Sequence, residues 1–330
     1  MKAIVHTQYG PPDVLQLKEV KKPIPGDGEI LVKVHAASVN TLDLALTGPL
    51  LVRIVTGGLF KPKDERLGAD LAGQVEAVGS NVTQFHPGDE VFGKGMGAFA
   101  ECVCVREDAV VLKPKAITFE EAASVPVAAL TALQGLRDKG QIQPGQKILI
   151  HGATGGVGSF AVQIAKAFGA EVTAVCSTRN VDMVRSMGAH HVIDYTQVDC
   201  TRSGQQYDLI LAVNGYHSIF AFRRVLSPTG RYVLVGGSKD HIYWALLQAM
   251  LLGPLLSRTG KQKLGFMGIA KINQKDLMYV KELLEAGKVV PVIERRYPLR
   301  DTSEALSYLE EGHAKGKVVI TVEQNDNASQ

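Results

Sequence analysis

Three glycines at three-residue spacing, Gly152, Gly155 and Gly158, stand in the stretch Lys147-Ile148-Leu149-Ile150-His151-Gly152-Ala153-Thr154-Gly155-Gly156-Val157-Gly158. This arrangement suits the holding of a pyrophosphate against bare backbone. One glycine permits a tight turn, a second lets the main chain approach the phosphates, and a third lets a helix pack close to a strand. The helix-period segment that follows, from Ser159 to Ala167, offers unpaired N–H groups and a positive dipole end to the same ligand. Gly169 is placed to cap that helix, and Glu171-Val172-Thr173-Ala174-Val175-Cys176 reads as the next strand. A glycine triplet alone also serves purely structural βα turns. Here strand, spacing, helix and second strand agree on dinucleotide binding by Gly152, Ala153, Thr154, Gly155, Gly156, Val157 and Gly158.

The end of that second strand bears on which dinucleotide. NAD sites usually carry an Asp or Glu about 20 residues past the glycines, bonded to the ribose hydroxyls. This strand ends Cys176-Ser177-Thr178-Arg179-Asn180, with no acid at the junction. A hydroxyl pair and a guanidinium are available for a 2′-phosphate, which favours NADPH through Ser177 and Arg179. Asp182 comes late enough to belong to the following helix. An ordinary polar helix start with a solvated Arg179 is the competing account of that residue.

No metal site is expected. Cys102-Val103-Cys104 would set both thiols on one face of a strand, but two ligands do not complete a zinc site, and buried strand residues are the simpler account. His35, His86, His151 and the pair His190-His191 are not at metal-ligand spacing and read as surface or packing residues. The remaining cysteines are Cys176 and Cys200. Met1-Lys2-Ala3-Ile4 shows no signal-peptide pattern, so a reducing, cytoplasmic setting without disulfides is expected.

Positioning these groups takes more than one core. At 330 residues the chain suits two domains. A hydrophobic share of 45% and a charged share of 21% describe a soluble globular chain. The net charge of +3 is mild and scattered, which argues against nucleic acid as the main partner. The apolar run Ile242 to Leu252 is too short to span a bilayer, and Leu44 to Phe60 is interrupted by Arg53, Gly57 and Gly58. No integral membrane segment is therefore expected. Core, subunit contact, pocket wall and peripheral membrane contact all stay open for both runs. The tail Gln324 to Ser329 and Gln330 reads as disordered. The first third, with short alternating runs such as Ile30-Leu31-Val32-Lys33-Val34, suits a mostly β domain. From about Phe119, strands alternate with helices, with core strands expected at 147–151, 171–176, 207–213 and 230–235. Near Pro291 the chain leaves this region. A helix at 301–311 and a strand at 317–321 are expected to return to the first domain.

The chain also resembles the medium-chain dehydrogenase/reductase superfamily, in its zinc-independent quinone oxidoreductase-like branch, from Met1 to about Thr321. Besides the glycine turn, the matching stretches are Gly10-Pro11-Pro12-Asp13-Val14-Leu15, Ala37-Ser38-Val39-Asn40 with Asp43, and Gly68-Ala69-Asp70-Leu71-Ala72-Gly73. His86-Pro87-Gly88-Asp89-Glu90-Val91, Ala122-Ala123-Ser124-Val125-Pro126 and Gly188-Ala189 with Val192-Ile193-Asp194-Tyr195 follow, and the end matches at Glu285-Ala286-Gly287-Lys288 and Gly312 to Ile320. The resemblance implies an α/β protein, a Rossmann-type doubly wound parallel sheet plus a mostly β GroES-like catalytic domain. Residues 1–121 with 291–330 would form the GroES-like domain and 122–290 the NADPH-binding domain, with the active cleft between the lobes and a homodimer built on the nucleotide-binding lobe, through an edge strand near Tyr232–Gly237 sealed by the apolar 242–256 segment.

The same resemblance implies that Tyr195 stacks near or bonds the adenosine phosphate, and that Asn40 is a polar contact at the nicotinamide–substrate interface. The alternative is that Asn40 only bonds its own loop. Thr131, Asn180, Asn214, Gly236 and Lys317 complete the expected cofactor contacts. Zinc members of the superfamily carry Gly-His-Glu where Gly68-Ala69-Asp70 stands here, and this chain has no cysteine near Asn40, so catalytic zinc is not expected. Without a Lewis acid, the fitting substrates are small conjugated acceptors, quinones or α,β-unsaturated carbonyls, reduced by NADPH. An enoyl-thioester reductase and a non-enzymatic NADPH-binding protein remain as alternatives.

Overall fold

The computed structural model of the chain describes residues 1–47, 62, 65–237 and 242–323. Most of the apolar run Leu44 to Phe60 and the tail from 324 lie outside the described residues. The described residues group into two compact units. One comprises residues from Met1–Val127, Ile272–Glu285 and 291–323, and the other residues from Ala128–Lys271 and Ala286–Val290.

In chain order the strands are β1 (Lys2–Val5), β2 (Gln16–Glu19), β3 (Glu29–Ser38), β4 (Asp70–Val78), β5 (Glu90–Lys94), β6 (Cys102–Arg106) and β7 (Val110–Leu112). Then come β8 (Lys147–His151), β9 (Glu171–Cys176), β10 (His191–Asp194), β11 (Tyr207–Ala212), β12 (Leu226–Leu234) and β13 (Lys263–Phe266), and finally β14 (Ile293–Pro298) and β15 (Lys317–Thr321).

The first unit is mostly β. A seven-stranded sheet runs β14-β15-β3-β4-β5-β7, with β6 also paired to β3, and β1 and β2 form a separate ribbon. β3 organises it. Its aliphatic residues Ile30, Val32 and Val34 are buried, and with Leu71, Val75, Phe99 and Ile320 they belong to one apolar core. The antiparallel register sets Ser38 of β3 opposite Asp70 of β4 on one side and opposite Val319 of β15 on the other. Hydroxyl, carboxylate and the start of β15 thus meet at one end of β3. The helix Thr302–Glu310 covers this core with Ala305 and Leu306, and Gln274–Glu285 packs with Leu277 and Val280 buried. The latter helix belongs to the first unit although it follows the last strand of the second.

The second unit holds a six-stranded parallel sheet in the order β10-β9-β8-β11-β12-β13. Ile148, Leu149 and Ile150 are fully buried, as expected of a strand covered on both faces. The order grows outward from β8 in one direction and from β11 in the other, the doubly wound plan whose ligands bind at the carboxyl ends beside that reversal. The helix Gly156–Ala167 joins β8 to β9 and buries Phe160, Val162 and Ile164. Gly169 ends it at φ 78°, the left-handed turn for which glycine is placed, with its N–H on the Lys166 carbonyl at 2.8 Å.

Two points depart from the sequence pattern. The strand expected at 230–235 begins at Leu226, which pairs with Tyr207 of β11, and after a register shift Arg231–Leu234 pair with both β11 and β13. Tyr232 therefore lies on an interior strand, and β13 is the sheet edge in its place. The apolar run from Ile242 is helical, Ile242–Leu247 and Gly253–Thr259 joined through a wider turn at Gln248–Leu252. Gln248 and Ala249 are buried, whereas Tyr243, Trp244, Met250 and Leu251 are exposed. Among the described residues no helix is long and apolar enough to cross a membrane.

Candidate functional site

The glycine turn gives each glycine a different environment. Gly152 sits at φ 84°, and a Cβ there would also meet the Asn214 backbone nitrogen at 2.9 Å. Gly158 packs so tightly that a Cβ would come within 2.0 Å of the Gly152 carbonyl oxygen and 2.8 Å of the Ala153 carbonyl carbon. Gly155 differs. Its backbone is extended, at φ −71° and ψ 177°, and a Cβ there would meet nothing within 4 Å. It is also the residue that begins the 12-residue helix Gly156–Ala167, where main-chain N–H groups lack intrahelical partners. The result is open space bordered by backbone donors and a positive dipole end, a cradle that fits a pyrophosphate.

Topology gathers most of the other expected cofactor residues at the same sheet edge. Ser177, Arg179 and Asn180 follow the carboxyl end of β9, Tyr195 that of β10, Asn214 that of β11 and Gly236 that of β12. The Asn180 amide donates to Ser177 Oγ at 3.2 Å, which ties down the turn after β9. Arg179 is exposed and makes no ion pair among the described residues. Asp194, at the end of β10, accepts from Thr178 Oγ1 at 2.5 Å and from the Thr196 hydroxyl at 2.8 Å, and these bonds hold its pKa down. Tyr195 is about half exposed and meets Tyr216 edge-on, ring centroids 6.4 Å apart. Thr131 lies half-buried in the helix Pro126–Gln134.

Asn40 and Lys317 belong to the first unit, in a buried polar cluster at the end of β3. Lys317 Nζ donates to Asn40 Oδ1 at 2.7 Å and to the Val39 carbonyl at 3.3 Å, and lies 3.5 Å from Asp70 Oδ2. Asn40 Nδ2 donates to the same Asp70 oxygen at 2.9 Å and to the Ser38 carbonyl at 3.2 Å. Ser38 Oγ adds a third donor to that oxygen at 2.8 Å, while Asp70 Oδ1 takes the Val127 N–H at 2.9 Å. Asp43 caps the turn, accepting from Asn40 N at 2.8 Å and Gly68 N at 3.3 Å. Burial pushes Asp43 up to about 7, opposed by the Asn40 N–H, with the Asp70 charge adding to the rise. Burial likewise lowers Lys317, against the pull of Asp70 and Asp43. Both ends of the Asn40 amide are thus occupied inside the cluster, as are both oxygens of Asp70. The sequence could not reveal this, because the partners of Asn40 lie 30 and 277 residues away along the chain.

The histidines divide unevenly. His35 stacks on Phe119 at 4.3 Å, His190 Nδ1 accepts from Val172 N at 3.0 Å, and His191 Nε2 meets Glu171 at 2.9 Å. His86 is exposed. His151 is different: it is 1% exposed, and the fold brings it together with Cys200 and His217, a grouping that no sequence spacing announces. All four cysteines are free thiols.

Comparison with known proteins agrees with this architecture. The family model described as "Alcohol dehydrogenase GroES-like domain" matches residues 26–115, and "Zinc-binding dehydrogenase" matches 187–320. NAD(P)H oxidoreductase RTN4IP1, mitochondrial, of Mus musculus is 35% identical over 355 residues, covering 98% of this chain and 89% of the relative. The chain belongs to the medium-chain dehydrogenase/reductase superfamily, in its quinone oxidoreductase-like branch. A second relative is 2-methylene-furan-3-one reductase of Solanum lycopersicum, 35% identical over 339 residues, 97% of this chain and 79% of that one. Among solved structures, the quinone oxidoreductase from Coxiella burnetii superposes with a TM-score of 0.84 at 30% identity, covering 98% of this chain and 99% of that one. This medium-chain fold accounts for the pairing of a mostly β unit with a doubly wound sheet.

Proposed function

We propose that this chain is an NADPH-dependent reductase that delivers hydride to quinones or α,β-unsaturated carbonyls without catalytic zinc. The observation that carries the proposal is the open cradle at Gly155, with Ser177 and Arg179 instead of an acid just past the end of the neighbouring strand. The relatives support the class: an NAD(P)H oxidoreductase, a quinone oxidoreductase and a 2-methylene-furan-3-one reductase.

NADPH, when bound, supplies the hydride. The chain's own residues bind and orient. Backbone around Gly155 to Gly158 with Ala153 and Thr154 receives the pyrophosphate, Ser177 and Arg179 the 2′-phosphate, and Tyr195 flanks the adenosine. Thr131, Asn180, Asn214 and Gly236 complete the contacts. The Asn40–Lys317 cluster keeps an ammonium group and an amide pre-positioned in the first unit. Asp70, at the place of the superfamily's Gly-His-Glu, is already saturated by Ser38, Asn40, Lys317 and Val127, and Ala69 offers no ligand atom. A conjugated acceptor spreads the incoming charge, so modest hydrogen bonding suffices where a simple ketone would call for a Lewis acid. Solvent then protonates the product.

The test is NADPH consumption against a panel of quinones, enals, enones and enoyl thioesters, before and after chelator treatment. Turnover of quinones or enones that survives chelation is the expected result. Turnover of thioesters alone would give the chain to the enoyl reductases, and NADPH binding without turnover would make it a cofactor-binding protein. Alcohol oxidation that is lost to chelator and restored by zinc would end the reading without catalytic zinc. The four free thiols fit a reducing, cytoplasmic setting, which cell fractionation tests.

A further inference from the structure

We infer that His151, Cys200 and His217 form a zinc site in the second unit, separate from the reductase chemistry proposed above. The three side chains come from different elements. His151 ends β8, Cys200 opens the turn Cys200–Arg202 after β10, and His217 precedes the helix Ile219–Arg224 after β11. One donor atom from each lies within 4.8 Å of the other two.

The first argument is an unpaid polar debt. Neither ring nitrogen of His151 has a hydrogen-bond partner, and neither does His217 Nε2. The Asn214 backbone lies beside the His151 ring, but no contact to either nitrogen has hydrogen-bond geometry. Each buried, unsatisfied polar group costs about 1–3 kcal/mol, and native proteins leave few of them. A histidine with both nitrogens unpartnered at 1% exposure therefore asks for a ligand.

The second argument is the donor set. Two imidazoles and one thiolate are what zinc prefers among side chains, and three protein ligands leave its fourth position for water or a carboxylate. With Zn–N and Zn–S bonds of ordinary length, tetrahedral ligand atoms sit roughly 3.3–3.6 Å apart. Small side-chain rotations close the distance from the observed spacing. Asp199 Oδ1 stands 3.7 Å from His217 Nε2 and brings a negative charge next to the cation. That oxygen also accepts from Thr201 N and Thr201 Oγ1 at 2.8 Å, which fixes the carboxylate in place. Tyr216 packs on both imidazoles, at 4.7 Å on His151 and 4.3 Å on His217, and Phe222 closes on both at 5.5 Å. The shell is apolar except toward His217, whose side chain is 18% exposed and gives the ion a way in. On binding, the Cys200 thiol gives its proton to solvent and its sulfur lone pair to the metal, with no change of oxidation state.

The site's place in the fold says what it does. The His151 carbonyl accepts from Val213 N at 2.9 Å and Asn214 N at 3.1 Å, so the turns after β8 and β11 are already tied together. A metal ion on His151, Cys200 and His217 adds the turn after β10 to that bundle. It staples three loops at the carboxyl edge of the sheet.

Chelator-treated, reduced full-length protein titrated with Co²⁺ tests the assignment, with Zn²⁺ added afterwards as competitor. One equivalent of Co²⁺ should bring a thiolate-to-cobalt charge-transfer band, displaced by Zn²⁺, and one equivalent of Zn²⁺ should raise the melting temperature. Cys200→Ser should abolish the band, and His217→Gln, at a partly exposed position, should weaken metal affinity at least tenfold. Both variants should lose the zinc-dependent rise in melting temperature. No Co²⁺ uptake by wild-type protein overturns the proposal, as does a band that persists unchanged in His217→Gln. Should Cys200→Ser fail to fold, the His217→Gln titration decides the matter alone.

Discussion

Replacing Gly155 by Val should separate cofactor binding from folding. The new Cβ would meet nothing within 4 Å, and φ −71° with ψ 177° is open to any residue. The structural cost is therefore that of a poor residue at the start of a helix, about 1 kcal/mol. The ligand cost is larger, because the branched side chain fills the space where phosphate oxygens meet backbone N–H groups. Losing two hydrogen bonds to a charged group, each worth about 1.5–3 kcal/mol, weakens NADPH by roughly 10²- to 10⁴-fold. Gly158→Ala is the converse. Its added Cβ would lie 2.0 Å from the Gly152 carbonyl oxygen and 2.8 Å from the Ala153 carbonyl carbon, backbone atoms that move only with the turn. Overpacking of that kind costs about 1–3 kcal/mol of stability. Calorimetric titration with NADPH and thermal unfolding, run on both variants, read the two quantities apart. Wild-type affinity in a folded Gly155→Val protein would refute the cradle. A melting-temperature loss at position 155 as large as at 158 would refute the reasoning from space.

Four further outcomes are expected. Arg179→Ala should weaken NADPH by about 10- to 100-fold and leave NADH unchanged, since only NADPH carries the 2′-phosphate; equal losses in calorimetry would make Arg179 structural. Asn40→Ala should cost roughly 2–4 kcal/mol of stability by stripping Lys317 and Asp70 of a shared partner; a kcat/KM loss of one to two orders of magnitude at an unchanged melting temperature would instead make Asn40 a catalytic residue. Burial raises Asp43 from 3.8 to about 7, so its folded form holds a proton that the unfolded form releases. Its contribution to stability is whole below about pH 4 and is lost as pH rises to about 7, by at most about 1.4 kcal/mol per unit; Asp43→Asn should flatten that share of the profile, and identical slopes in denaturant titrations would contradict it. The chain should be a homodimer through the β13 edge and the exposed face around Leu251, so light scattering at micromolar concentration should show a dimer that Leu251→Asp dissociates, and a wild-type monomer would dismiss the interface.

Local pattern made the carboxyl edge of the parallel sheet legible and left the polar cluster hidden. Lys147 to Cys176 reads correctly because each step is local: a β-branched run, glycines at turn positions, a helix with one buried stripe, and Gly169 at its end. β15 is equally plain in Lys317-Val318-Val319-Ile320-Thr321. β13 is not. Lys263-Leu264-Gly265-Phe266 has only two large apolar residues, and it becomes a strand because Arg231–Leu234 offers an unpaired edge. That choice is tertiary, so it moved the sheet edge away from Tyr232. The same limit explains Asn40. Its motif is visible locally, but the bonds that occupy its amide come from β4 and β15, and only the register Ser38↔Asp70 and Ser38↔Val319 brings them together. His151, Cys200 and His217 converge in the same way, through three loops at one sheet edge.

On the zinc-free reading proposed above, the end of β3 explains why Asp70 makes a poor metal ligand. A zinc site there needs ligand atoms with free lone pairs facing a common point. Asp70 has a carboxylate at the right place in the chain, yet its Oδ2 is engaged by Ser38 Oγ, Asn40 Nδ2 and Lys317 Nζ, and its Oδ1 by Val127 N. To ligate zinc it would have to release these donors and leave the Lys317 ammonium, 3% exposed, facing another cation. Breaking one buried ion pair in this way costs about 3–5 kcal/mol, before any repulsion between zinc and the lysine. The positive charge at this place is Lys317, fixed inside the protein and paired with Asp70. With the Lys317 ammonium bonded to three acceptors and both Asn40 amide hydrogens engaged, the cluster offers an acceptor oxygen no spare donor, and it cannot polarise that oxygen as a directly bound metal does. This is why the proposal rests on conjugated acceptors, in which the electron pair arriving with hydride is delocalised.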